Sequence, residues 1–278
     1  MHISSVQHLI DLAISEDLGP GDITTDNIVA EGQMGKGEIV AKQSLMLAGL
    51  DVVEAVFKTL DDSVACLFHY KDGDTVKKGD TVFTVSGSLR TLLKGERTAL
   101  NFLQRMSGIA THVRSYVDHM SHAKVKLTDT RKTTPGWRIL EKYAVRVGGA
   151  YNHRMALYDG VLIKDNHIAV GGGILAAVSK VKCHVSHLVK IEVEVSTMDE
   201  VREALSAGVD VIMLDNMDLD QIRDAVKLIN GKVLVEVSGN VTKESLKSLA
   251  ATGVDIISSG ALTHQAVSVD LSMRITTA

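Results

Sequence analysis

The segment Thr128–Gly136 reads Thr-Asp-Thr-Arg-Lys-Thr-Thr-Pro-Gly. Two adjacent cations, Arg131 and Lys132, stand among hydroxyls and are followed by a Pro-Gly turn. Such a loop suits carboxylate or phosphate oxygens, because a guanidinium pairs with them bidentately and an ammonium meets them as a point charge. A solvated basic loop is the plainer alternative. More basic residues follow: Arg138, Lys142, Arg146, His153, Arg154, Lys164 and His167. Arg138, Lys142 and Arg146 recur at helical spacing and read as helix surface, with Glu141 placed to pair with Arg138 along the helix. His153, Arg154 and Lys164 are the better ligand candidates, since Lys164 directly follows the apolar run Val161–Ile163.

Carboxylates come next. Glu192 and Glu194 alternate with Ile191, Val193 and Val195, and Asp215 ends the following apolar run. Charges on buried strands are costly unless paired or bound to a metal. Glu194 and Asp215 are therefore candidates to orient Lys132 and Lys164 or to hold Mg²⁺ beside a polyphosphate. Salt bridges that only brace the fold are the alternative. Ser238-Gly239-Asn240 and Ser258-Ser259-Gly260 end two later runs, and the second leads into a short helix, Ala261–His264. Glycines that admit a ligand to the backbone, beside a short helix N-terminus, have the make-up of a phosphate cradle. His264 can donate to the same phosphate. No Ser-His-Asp set or obvious nucleophile stands out, so the expected chemistry is electrostatic stabilisation with little covalent participation.

These groups need a scaffold that repeats. Four short Val- and Ile-rich runs, Leu188–Val195, Val209–Leu214, Lys232–Val237 and Val254–Ser258, read as strands buried on both faces. The polar residues at or near their ends, Glu194, Asp215, Ser238 and Ser258, are 21, 23 and 20 residues apart. Helices are expected between them. One opens on the capping-box pattern Thr197–Glu200 and stops near Gly208, one runs to Ile229, and one covers Thr242 to Ala251. A repeating βα unit favours a parallel sheet or a (β/α) barrel, which carries its chemistry at the C-terminal ends of the strands. Lys124–Leu127 and Gly160–Ile163 add two strands, giving an incomplete barrel of about six or seven.

The first part reads differently. Helices are expected over Ser5–Glu16, Asp51–Thr59 and Gly95 to about Ser121, with strands at Gly37–Ala41 and Ala65–Tyr70. Asp72–Asp80 is a turn-rich hairpin between strands. It faintly resembles biotinyl and lipoyl carrier domains, but no lysine sits at a tight turn between matching halves. A small α+β domain over residues 1–110 is expected, with the tail 266–278 as a candidate to complete it and the barrel over 111–265.

A net charge of -4 gives no general attraction for nucleic acid, so anion binding must come from local clustering. Cys66 and Cys183 lie far apart in no metal-ligand spacing and read as reduced thiols. The N-terminus lacks the apolar run of a signal peptide, and no stretch approaches a membrane span. The expectation is a cytoplasmic protein with no membrane partner.

Several motifs together resemble the quinolinate phosphoribosyltransferase family, also called nicotinate-nucleotide pyrophosphorylase (carboxylating). They include Glu16–Thr25, Gly95–Asn101, Thr130–Gly136, Glu141–Val145, Asn152–Arg154, Leu162–Ile168, Glu192–Val195, Ile212–Asn216, Glu236–Asn240 and Gly260–His264. The resemblance runs in order through nearly the whole chain. It implies an N-terminal α/β sandwich domain plus an incomplete α/β barrel, a homodimer or larger assembly of dimers, and Mg²⁺ as cofactor. It implies transfer of phosphoribosyl from phosphoribosyl pyrophosphate to quinolinate, releasing pyrophosphate and CO₂ and giving nicotinate mononucleotide on the route to NAD.

Residue by residue, the resemblance implies that Arg131, His153 and Arg154 hold the quinolinate carboxylates and that Arg97 reaches the neighbouring subunit's site. It gives Lys132 and Lys164 to pyrophosphate and ribose-phosphate oxygens. Glu194 and Asp215 go to the ribose hydroxyls and metal, and Ser238, Gly239, Asn240, Gly260 and His264 to the 5′-phosphate. Ser258 ends a cradle strand and joins that set. Two departures, Trp137 where the family usually has Leu and Val147-Gly-Gly-Ala150 where it usually has Cys-Gly-Gly-Gly, replace no charged group. Two other readings stay open: a related transferase acting on nicotinate or another small acid, as in molybdenum-associated paralogues, and a non-catalytic phosphosugar-binding barrel.

Overall fold

The structure is a computed structural model that describes residues 1–120 and 124–277. The expected helix end at Ser121 and the last residue of the tail lie outside the described residues.

In chain order the first elements are α1 (Gln7–Leu18), α2 (Thr25–Ile28), β1 (Met34–Ala41), β2 (Leu45–Met46), α3 (Leu50–Leu60), β3 (Ala65–Phe68), β4 (Thr75–Val76), β5 (Thr81–Ser88) and α4 (Leu89–His119). There follow β6 (Lys126–Thr128), α5 (Arg138–Val147), β7 (Val161–Ile163), α6 (Asp165–Gly171), α7 (Ile174–Lys182), β8 (Ile191–Val195) and α8 (Met198–Ala207). The chain ends with β9 (Val211–Asp215), α9 (Leu219–Ile229), β10 (Leu234–Ser238), α10 (Leu246–Ala250), β11 (Ile256–Ser258), α11 (Ala261–His264) and β12 (Leu271–Thr277).

Two compact units result. One comprises residues 1–114, 134–149 and 265 onward, the other 115–133 and 150–264. In the first, an antiparallel sheet runs β12-β1-β5-β3 and a small two-stranded sheet pairs β2 with β4. Its core includes Phe57 and Phe83, stacked with ring centroids 6.4 Å apart. The Asp72–Asp80 turn does sit between paired strands, β3 and β5, but it also carries β4 away to β2. The Asp72 carboxylate accepts the N–H groups of Gly49 and Leu50 at 2.7 and 3.1 Å, so it satisfies free amides at the start of α3.

One expectation fails in this unit. Lys142 is not helix surface: it is 1% exposed, on a helix that also buries Leu140, Glu141, Ala144 and Val145. Glu141 accepts Thr134 Oγ1–H at 2.8 Å and Arg105 Nη2–H at 3.2 Å. The physical reason for Lys142 is that α5 is covered on a face wider than one apolar stripe, so Glu141 and Lys142 are buried with the apolar residues. Arg146 is exposed, as expected.

The second unit contains a six-stranded parallel sheet in the order β6-β11-β10-β9-β8-β7. A parallel bridge between Thr128 and Tyr151 adds the start of a seventh strand beside β6, so the barrel is incomplete, as the strand count implied. Thr197 and Glu200 form the reciprocal capping box expected at α8, which ends on Gly208 in the left-handed region. The helix expected from Thr242 starts only at Leu246. Thr242 and Ser245 trade hydroxyl-to-amide bonds (Thr242 N–H to Ser245 Oγ at 3.0 Å), a local alternative that delays the helix. Among the described residues, no helix is long and apolar enough to cross a membrane.

Candidate active site

All six strands of the second unit are parallel, so their C-terminal ends share one side. Asp215 is in register with Ser238, and Ser258 with Thr128, which lines the polar strand ends along that rim. The segments leaving these ends carry Arg131, Lys132, His153, Arg154, Lys164, Gly239, Asn240 and Gly260, with His264 at the end of α11. Glu194, one residue short of the end of β8, completes the ring. Arg97 belongs to the other unit, exposed on α4.

Lys164 follows β7, whose Leu162 is in register with Glu192. Its ammonium donates to Glu194, and its backbone N–H donates to His167 Nδ1 at 3.0 Å. The expected pairing of an acid with a lysine is therefore made by Glu194 with Lys164. Lys132 lies elsewhere. Its carbonyl accepts Thr263 Oγ1–H at 2.7 Å, and its Cδ would be 2.6 Å from a Cβ on Gly260. A Cβ there would push the lysine chain aside. The His264 ring also crowds that position, at 3.2 Å.

The late-strand cradle is organised by a residue that sequence reasoning passed over. Asn216 adopts φ +54°, donates its Nδ2–H to Asp215 Oδ2 at 2.8 Å, and gives its backbone N–H to the Ser238 carbonyl at 3.1 Å. Its Oδ1 accepts Asn240 Nδ2–H at 3.3 Å. Gly239, at φ +95°, presses on the same side chain: a Cβ there would lie 2.2 Å from Asn216 Oδ1. Gly239→Ala is expected to cost about 2 kcal/mol of stability through backbone strain and this clash, read as a lowered midpoint in urea unfolding.

The basic pocket is built on a second overlooked residue. Asp129 is fully buried and accepts Asn152 Nδ2–H at 2.7 Å and the His153 N–H at 2.9 Å. It ties the Asn152–Arg154 loop to the end of β6. Arg154 Nη1–H donates to the Gly160 carbonyl at 2.8 Å. Burial holds the Arg154 guanidinium below its ordinary pKa, the positive charge of Arg131 adds to this, and Glu192 opposes it. The charge of the exposed Arg131 thus acts on a half-buried Arg154, an arrangement that an anion relieves.

His153 rests on two buried acids, Glu192 and Glu236. Its Nε2 is 3.0 Å from Glu192 Oε2 and 3.6 Å from Glu236 Oε1. Burial first, and the neighbouring Glu192 charge second, push the Glu236 carboxyl up to about 8. Glu236 was missed although a signal existed: it alternates with Ser238 on β10 and so shares its inward face.

Such a site can hold several anionic groups beside Arg131 and a partly desolvated Arg154. Known proteins carry the same architecture. Residues 22–107 and 109–274 match the N-terminal and C-terminal domains of the quinolinate phosphoribosyl transferase family. A Bacillus subtilis (strain 168) protein named probable nicotinate-nucleotide pyrophosphorylase (carboxylating) is 46% identical over 276 residues, 99% of this chain and 95% of that one. An Arabidopsis thaliana chloroplastic protein named nicotinate-nucleotide pyrophosphorylase (carboxylating) is 41% identical, over 97% of this chain and 82% of its own. The crystal structure of NadC from Streptococcus pyogenes aligns with a TM-score of 0.96 at 41% identity, covering 100% of this chain and 99% of that one. With both domains matched in order and relatives alike from end to end, the chain belongs to the quinolinate phosphoribosyltransferase family.

Proposed function

We propose that this enzyme transfers the phosphoribosyl group of phosphoribosyl pyrophosphate to the ring nitrogen of quinolinate, with decarboxylation, and so makes nicotinate mononucleotide for NAD biosynthesis. The observation that carries this reading is full-length similarity to carboxylating pyrophosphorylases, and Arg131 and Arg154 at the strand-end rim support it. The ring nitrogen forms a bond to ribose C1, and the bond from C1 to the pyrophosphate oxygen breaks, with its electron pair leaving on pyrophosphate. The carboxylate beside the new pyridinium then departs as CO₂, and its electron pair takes a proton. Holding mutually repelling anions together is the main task, and it calls for placed cations.

In this reading Arg131, His153 and Arg154 form the dicarboxylate pocket, while Lys132 and Lys164 face the pyrophosphate and ribose-phosphate oxygens. Glu194 and Asp215 meet the ribose hydroxyls. Ser238, Gly239, Asn240, Ser258, Gly260 and His264 form the 5′-phosphate cradle. Mg²⁺ is the cofactor in this reading. One Glu194 oxygen is taken by Lys164 and one Asp215 oxygen by Asn216, which leaves one hard oxygen on each. Two such donors suit Mg²⁺ completed by water and phosphate oxygens, and the bound ion would neutralise the leaving pyrophosphate. The working form is a homodimer or larger assembly in the cytoplasm, with Arg97 reaching the partner's site. Arg97 supports this by being exposed, with no bonding partner among the described residues.

The test is a nucleotide assay with phosphoribosyl pyrophosphate, Mg²⁺ and either quinolinate or nicotinate. Nicotinate mononucleotide and CO₂ formed from quinolinate alone are expected. Turnover of nicotinate with none of quinolinate would overturn the reading.

A further inference from the structure

Beneath the dicarboxylate pocket lie two groups that the proposed chemistry does not use. Glu192 on β8 and Glu236 on β10 flank β9, and they are 7% and 1% exposed. One oxygen of each lies within 4.8 Å of the other and of His153 Nε2. Glu192 Oε1 and Glu236 Oε1 are buried with no hydrogen-bond partner among the described residues. The direction of His153 explains the arrangement. Its Nδ1 accepts the Arg154 backbone N–H at 2.8 Å, and a nitrogen that accepts carries no proton. The ring proton therefore sits on Nε2 and points at Glu192.

A metal at this cluster is a poor fit. It would need the Nε2 lone pair, which moves the ring proton to Nδ1 and against the Arg154 N–H.

We propose that Glu236, acting through Glu192, is a positioning residue for the dicarboxylate pocket: Glu236 lies against Glu192, the Glu192 carboxylate holds the His153 ring by its Nε2–H, and the ring holds the backbone amide from which Arg154 projects. The guanidinium is then aimed before the substrate arrives, with its far end fixed on the Gly160 carbonyl. The raised pKa of Glu236 supports this, because a neutral carboxyl can lie beside Glu192 where a second anion would be repelled. This inference rests on the reaction proposed above.

Two measurements test it. In steady-state kinetics, Glu236→Leu is expected to raise KM for quinolinate on the order of tenfold and leave KM for phosphoribosyl pyrophosphate unchanged. Glu236→Gln, which keeps a donor beside Glu192, is expected to restore the quinolinate KM. An unchanged quinolinate KM in Glu236→Leu, or equal rises in both KM values, overturns the proposal. Imidazole ¹⁵N NMR of the wild-type enzyme, with His153 assigned through His153→Gln, reads the tautomer without relying on the fold of any Glu236 variant. A proton on Nε2 alone supports the proposal; a proton on Nδ1, or on both nitrogens, overturns it. One equivalent of tightly held transition metal that disappears in Glu236→Leu would also overturn it, by making the cluster a metal site. If the wild-type enzyme fails to turn over quinolinate, the functional reading falls, and the NMR result still decides the geometry.

Discussion

Lys132→Ala lowers kcat/KM on the order of a thousandfold and leaves stability within about 0.5 kcal/mol of wild type. The two halves of this expectation come from the same geometry. Lys132 is exposed, and its ammonium has no partner among the described residues. Its place in the loop is fixed by parts that alanine keeps: the carbonyl that accepts from Thr263, and the backbone N–H that donates to Thr130 Oγ1 at 3.0 Å. The fold therefore does not need the charge. The aliphatic stem passes Gly260, beside the His264 ring, two residues of the proposed phosphate cradle. In the proposed reaction a charge there serves the substrate anions. Its removal should appear in transition-state stabilisation, as when one placed donor is lost from an oxyanion site. Lys132→Arg keeps the charge but not its point-like shape, and is expected to recover only part of the rate. Unaltered kinetics in Lys132→Ala would make Lys132 an ordinary surface charge.

What the sequence discloses follows from which physical signals are periodic. The strands β8 to β11 are buried on both faces, so they are written as short apolar runs, and the polar residues at their ends mark the rim at intervals near 20 residues. Glu194, Asp215, Ser238 and Ser258 are legible for that reason. Lys142 is not. Helical periodicity assigns a charged residue to the solvent face, and α5 is covered more widely than one stripe, so the assignment inverts. Asp129 and Asn216 are legible as residue types but not as hubs. Their importance lies in hydrogen bonds to Asn152, His153, Ser238 and Asn240, partners that only the folded chain brings near. Glu236 is an intermediate case. Period-two alternation with Ser238 places it inside the barrel, yet its meaning depends on meeting Glu192 across β9. The site is thus readable where it is a row of strand ends, and hidden where it depends on pairs of residues far apart in sequence.

That meeting sets the second large effect. Glu236 prefers its proton in the fold, at about 8 against an ordinary 4.5, because burial and the Glu192 charge both disfavour a second anion. Raised in the folded state, this carboxyl contributes stability that is fully present below about pH 4.5 and is lost as pH rises through about 8. Across that window the unfolded chain releases a proton that the folded chain keeps. Glu236→Gln has the shape of the protonated acid and nothing to release. Its stability relative to wild type should therefore climb from pH 5 to pH 8 and then level off, with a total gain on the order of 4 kcal/mol. Urea unfolding of both proteins at unit steps of pH measures this directly. A stability difference that stays flat across the range would mean that Glu236 is already ionised in the folded enzyme, and the two carboxylates would then be held together by the His153 ring alone.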